Sequence, residues 1–209
     1  MRRLLIALLV LAVLLLAADE GARRYEESRL ARSIQTSLKL RAPPQVTLHG
    51  FPFLPALVQG RISSASISSS QVTAESIRFS DVRVQLQDVR FSVTRLLRGT
   101  LRTIHATRGS GTASITSASL GSYLHGHGAP LNVAIRRGRV VAKAGPLSAA
   151  LPVRLSISDN HLQLAAGPLP SFSIPLPDIL HGLVYGSVVA ADSKLRLSFR
   201  LHHPSLDLE

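Results

Sequence analysis

The chain of 209 residues has no Cys, no Trp, one Met, only 4% aromatic residues, and half as many acidic as basic side chains. Without Cys there is no disulfide framework, no thiolate nucleophile and no thiolate-bound zinc or iron–sulfur cluster. The scarcity of acids is uneven: four of the twelve fall before residue 28, and the other eight are scattered singly. A paired-carboxylate active site is therefore not expected. G-x-S-x-G, P-loop, H-E-x-x-H and G-x-G-x-x-G patterns are also missing, which removes the common signatures of hydrolases, nucleotide enzymes and zinc peptidases. No catalytic residue, cofactor or metal site is assigned. The His125-Gly126-His127 and His202-His203 pairs have neither Cys nor a nearby carboxylate to complete a metal shell, and read as surface loops.

What is present is apolar and basic. Arg2 and Arg3 precede residues 4–18, an unbroken run of Leu, Ala, Val and Ile. A positive start followed by such a run is an export signal or membrane anchor. At 1.5 Å per residue it covers roughly 22 Å of a hydrocarbon layer about 30 Å thick, short for a span. No good small-x-small cleavage site follows, which tilts the reading toward a retained anchor. The two arginines stay on the cytoplasmic side, placing the rest on the extracytoplasmic face of the membrane.

The exported part, from Asp19 on, carries 22 basic and 12 acidic residues. No groove-reading motif or aromatic stacking series accompanies the arginines, so nucleic acid is not the expected partner. An anionic membrane surface is, with Arg78, Arg83, Arg90, Arg136, Arg137 and Arg139 as outward candidates. The competing reading is that these side chains simply solvate an outer face.

Residues 20–41 show helical spacing, with Leu30, Ile34 and Leu38 four apart, and Ala42-Pro43-Pro44 as the stop. Beyond Pro44 the period falls to two. Val46 and Leu48 open a strand, residues 54–58 form an apolar patch, and Gly60 turns into a Ser-rich strand over 62–72. The strongest β signal covers 76–94, in three alternating sets: Ile77 and Phe79; Val82, Val84 and Leu86; Val89, Phe91 and Val93. The phase slips near Asp81 and Asp88, which predicts a bulge or turn at each. Short strands are expected at 101–106 and 113–115 around Gly109 and Gly111, and a short helix over 117–124 capped by Ser117 or Ser119. Hairpins are expected at Arg137-Gly138, Asp159-Asn160 and Asp192-Ser193. Between the last two lies a stretch holding Pro168, Pro170, Pro175 and Pro177, which no central strand tolerates, with Asp178 capping a turn at Ile179 and Leu180.

Together these give eight to ten strands, one long helix and one or two short ones: an α+β antiparallel domain. The organisation reads as 1–18 signal or anchor, 19–44 amphipathic helix and stop, and 45–209 β-rich domain. A long curved sheet wrapped on a helix offers an aliphatic groove, and each CH₂ removed from water there contributes about 0.8 kcal/mol. From composition alone a closed core without ligand is the simpler reading.

The stretch Val46-Thr47-Leu48-His49-Gly50-Phe51-Pro52-Phe53-Leu54, followed by an apolar patch and Gly60, resembles the LmeA-like actinobacterial family of exported phospholipid-binding proteins. The resemblance implies a non-catalytic cell-envelope protein with a fold similar to tubular lipid-binding (BPI-like) domains, a phospholipid partner, and a part in lipoglycan or envelope maintenance. Under that reading Phe51, Phe53, Leu54, Leu57 and Val58 form the lipid-binding patch, as a rim where a chain enters or as a plug in the core. The alternative is a membrane-anchored assembly partner with a closed core.

Overall fold

The computed structural model describes residues 2–74, 76–98, 100, 103–128, 131–136, 138–144, 151–167, 171–178 and 182–207. It is an α+β protein in which an N-terminal helix packs against an open antiparallel sheet of strand order β1-β2-β3-β4-β12-β11, with β13 also paired to β4. Two smaller three-stranded sheets have the orders β10-β9-β8 and β5-β6-β7. Contacts divide the chain into two compact units, the first formed by Met1–Ile67, Leu86–Thr107 and Ser205–Glu209, the second by Ser68–Gln85 and Arg108–Pro204.

In the first unit, α1 (Arg2–Ser37) runs as one helix from the apolar N-terminal stretch through the charged segment. It ends four residues earlier than the proline stop implies, because Lys39 takes a left-handed conformation (φ 50°) and Leu40 donates its N–H back to the Gln35 carbonyl. β1 (Gln45–His49) follows, with Val46 and Leu48 buried. The patch expected at 54–58 is a helix, α2 (Phe53–Val58). β2 (Arg61–Ala74) and β3 (Ile77–Arg90) are each 14 residues long. β3 keeps Val89 of the third β set but ends at Arg90, and Val93 begins α3 (Val93–Leu97) instead. Gly60 is required where it stands: its φ is +67°, and a Cβ there would lie 2.6 Å from the Phe91 carbonyl oxygen.

Both positions where a bulge or turn was expected are irregular points of β3. Asp81 (φ 51°) and Asp88 (φ 52°) both adopt the left-handed conformation that Asp tolerates better than most residues. The buried set accordingly passes from Ile77 and Phe79 to Val84 and Leu86 and then to Val89, so the core face is kept through both phase slips.

β4 (Thr103–Thr116) is one strand where two short ones were expected. Gly109 and Gly111 are strand residues, and at Gly111 a Cβ would stand 2.4 Å from Phe199 Cζ and 2.5 Å from the Arg83 carbonyl oxygen. The glycine marks a close approach and not a turn. The start of β4 pairs with β13 (Ser205–Asp207), a strand with no sequence signal, in the first unit.

The second unit continues with α4 (Ser117–Gly126), whose cap is Thr116: its Oγ1 accepts from the Ser119 N–H at 3.1 Å. The hairpins lie where the turns were read. β5 (Leu131–Arg136) pairs with β6 (Arg139–Ala144), which also pairs with β7 (Leu151–Pro152). β8 (Arg154–Ser158) and β9 (His161–Ala165) join through Asp159 and Asn160, both at positive φ, as a tight two-residue hairpin demands. β10 (Phe172–Pro175) is the edge strand of its sheet, the one place its proline is tolerated. β11 (Leu183–Ala191) and β12 (Lys194–His202) close the order. Ile115, Leu120, Leu162, Leu195, Leu197 and Leu201 lie at the centre of this unit's core. Pro168, Pro170, Ile179 and Leu180 lie outside the described residues.

Candidate functional site

The first unit holds an apolar cavity of about 50 Å³, within a recess of about 600 Å³ that includes the solvent at its mouth. Its helical wall is Leu30 and Ile34 of α1, Leu57 of α2 and Leu96 of α3. The facing wall is Val46 and Leu48 of β1, Ile62, Ala65 and Ile67 of β2, Leu86 and Val89 of β3, Phe91, and Ile104 of β4. Among the described residues Glu26 is the one polar side chain in the lining. It stands 3.9 Å from Arg29, one turn along the helix.

Two carboxylates of α1 hold this wall. Asp19, only 8% exposed, accepts from the Phe53 N–H at 2.9 Å and from the Leu54 N–H at 2.6 Å. These are the first N–H groups of α2, and the residue before them, Pro52, has no side-chain oxygen to cap them. Eight residues on, Glu27 accepts from the Leu48 N–H at 2.8 Å. That bond occupies a donor on β1, an end strand of the sheet order. Next to Asp19 on the same helix, hydrogen bonds from Arg23 and then Arg24 hold Glu20 below the usual carboxylate range.

A second polar cluster ties the strands together. Asp88 accepts from Arg90 at 2.9 Å, from Thr107 at 2.9 Å and from Arg61 at 2.6 Å, so one aspartate joins β2, β3 and β4. The Arg90 bond, with those of Thr107 and Arg61, pulls its carboxyl down to about 2.

A cavity lined by aliphatic groups is dry, and one of about 150 Å³ holds a benzene-sized guest. The volume here is a third of that, so a phospholipid acyl chain enters only if the helical wall parts from the strands. Opened in that way, the site offers an apolar chain a lining with a single carboxylate among the described residues.

The five residues of the sequence-derived patch separate. Leu57 reaches the cavity. Phe53 is 1% exposed and packs as a plug, while Phe51 and Val58 are 77% and 73% exposed. Leu54 is half-buried, its N–H on Asp19. Of the arginines, Arg78, Arg83, Arg136 and Arg139 are exposed, Arg90 is paired with Asp88, and Arg137 lies outside the described residues. The sequence did not mark Glu26, Leu96 or Ile104 as site residues. The Leu30 and Ile34 spacing was the visible trace of the helical wall. Among the described residues no group of three or more His, Asp or Glu side chains is placed to hold a metal ion. His125 and His127 donate from Nδ1 to the Gly121 and Tyr123 carbonyls, and His127 stacks on Tyr123.

An N-terminal helix laid on an open antiparallel sheet, with a dry aliphatic cavity between helices and strands, defines an α+β domain suited to an apolar ligand. A family model described as LmeA-like phospholipid-binding matches residues 17–202, and the chain belongs to that family. No curated protein and no solved structure matches it significantly.

Proposed function

We propose that the protein holds a phospholipid by an acyl chain in the cavity of the first unit, on the extracytoplasmic side of a cell membrane, as a binding protein of the envelope and not as an enzyme. The observation that carries this reading is the cavity lining, thirteen apolar side chains against one carboxylate. Family membership supports phospholipid as the ligand class. Export rests on Arg2, Arg3 and the apolar run after them. In α1, Val13, Leu14, Leu15 and Leu16 are all more than half exposed, as suits a segment that meets lipid. Among the described residues no helix is long and apolar enough to cross a membrane. The small closed volume favours one other reading, an assembly partner with a sealed core.

Native mass spectrometry on protein taken from membranes without delipidation separates the two. The expected spectrum shows the chain plus one phospholipid, and Leu57→Asp, which puts a charge in the lining, shows the bare chain with the far-ultraviolet circular dichroism unchanged. Bare protein from several mild detergents would leave the sealed core as the better account.

A further inference from the structure

The second unit carries a surface of different character. On one face of its sheet, Arg196, Ser198 and Arg200 of β12 stand opposite Ser114, Thr112 and Ser110 of β4. Directly opposed residues of neighbouring strands share a face. On the other side of β12, Val189 is opposite Arg196 and Val184 is opposite Arg200. Arg83 of β3 completes the face: with Thr112 it lines both of two adjoining recesses, of about 820 and 670 Å³.

The charges there are unbalanced. Asp81 is taken by Lys194, which leaves Asp192 as the other carboxylate in the lining. Among the described residues Arg83, Arg196 and Arg200 make no ion pair. Arg196 and Arg200 are separated by roughly 13 Å along the strand. Val184 and Val189 are 51% and 58% exposed.

We propose that this face docks on an anionic bilayer surface, with the arginines on lipid phosphates and the two valines at the headgroup boundary. The guanidinium groups are the charge complement of a phosphate layer, and their aliphatic stems let them reach out of a shallow sheet face. The valines decide between a bilayer and a soluble polyanion. Exposed aliphatic groups beside arginines gain from an interface that is polar above and apolar below, whereas a polyanion offers them nothing. No Trp or exposed Phe stands on the face to stack a base or a sugar. Of the arginines that the sequence alone placed outward, the face includes Arg83 only; Arg196 and Arg200 are new. The inference does not rest on the lipid cavity, because docking requires no bound lipid.

The chain has no Cys, so Val189→Cys accepts a single environment-sensitive fluorophore on the full-length protein. A probe at this position reports the face itself, whatever the apolar N-terminus does on the same vesicle. The expected result is a blue shift on phosphatidylglycerol–phosphatidylcholine vesicles, absent on phosphatidylcholine alone and reversed by high salt. Arg196→Ser with Arg200→Ser should weaken that response roughly 30-fold, about fivefold per arginine. Arg136→Ser with Arg139→Ser, on the β5–β6 hairpin that meets β11 at Ala190, should weaken it less than the strand pair does. An equal shift on neutral vesicles, no shift on anionic ones, or no effect of the double substitution overturns the proposal. So does a response to soluble polyphosphate without one to anionic vesicles, which would give the face to a polymer. If the labelled Val189→Cys protein does not fold, Val184→Cys provides the same reading.

Discussion

The two units share the strands β2, β3 and β4 yet put them to opposite uses. In the first, strand residues such as Val46, Ile62, Leu86 and Val89 meet three helices, and the lining between them is almost wholly aliphatic. In the second, β3, β4 and β12 present arginine and hydroxyl side chains that line two open recesses. The first unit also holds two carboxylates against backbone N–H groups, the buried Asp19 and the half-buried Glu27. The acids of the second unit's face lie at its edges, one of them on Lys194. A continuous strand therefore does not impose one surface chemistry along its length. The aliphatic residues are on the buried side of the strands and the ionic ones on the exposed side, and the pieces that cover the buried side in the first unit come from distant parts of the chain.

The largest expected effect breaks the first side of that contrast. Asp19→Ala removes the cap of α2 and leaves the Phe53 and Leu54 N–H groups without a partner. At about 1.5–3 kcal/mol for each hydrogen bond to a charged group, the loss is on the order of 3 kcal/mol or more. It should appear as a lower urea midpoint. Hydrogen exchange resolved by residue should show the loss at 53–58 and 45–49, with the β11–β12 hairpin still protected. Equal loss in both places would mean that the units do not differ in how they are held.

How much of this was legible in the sequence follows from the range of each signal. Alternation and turn chemistry are local, so β11–β12, β8–β9 and β5–β6 were readable, and so were both irregular points of β3, since Asp81 and Asp88 sit where the phase slips. Of the short helices only α4 was readable. α2 and α3 have six and five residues, too few for a helical period to show, and α2 is fixed by Asp19, 34 residues away. Gly111 was misread because a glycine that admits the Phe199 ring looks in sequence like one that makes a turn. The cavity was legible only as aliphatic composition. Its walls come from positions 26 to 104, and nothing local distinguishes Leu57, which reaches it, from Val58, which points to solvent. The basic face stayed hidden for the same reason, because Arg83 and Arg196 meet only through the register of β3, β4 and β12.

A smaller effect sharpens the contrast by filling the cavity. Ala65 is 5% exposed and lines it from β2. Ala65→Val adds two methyl groups of a β-branched side chain that suits a strand. With about 0.8 kcal/mol per buried carbon, and some of that lost to tight packing, a gain of about 1 kcal/mol is expected. The urea midpoint should rise while bound phospholipid falls in native mass spectra. A stabilised protein that keeps its lipid would move the lipid site elsewhere.

The smallest expected effect compares the two left-handed aspartates of β3. Asp88 in the first unit holds two arginines and Thr107, and its carboxyl is pulled to about 2. Asp81 in the second is lowered first by its hydrogen bond from Lys194, with smaller contributions from the charges of Arg83 and Arg196. A carboxylate whose folded pKa lies below its unfolded value contributes stability above the unfolded pKa and loses it as pH falls through the folded one. For Asp88 that window runs from the ordinary 3.8 down to about 2. Asn also tolerates the left-handed conformation, so Asp88→Asn removes the charge and keeps the backbone. The urea midpoint of the variant should lie below that of the parent at pH 7, and the gap should close between about pH 4 and pH 2. Because these groups are partly in solvent, the gap is modest and shrinks in salt. Asp81→Asn should show the same trend with a smaller gap, since one hydrogen-bond donor, Lys194, stands where Asp88 has three. A gap that stays constant down to pH 2 would assign the role of Asp88 to backbone geometry rather than to charge.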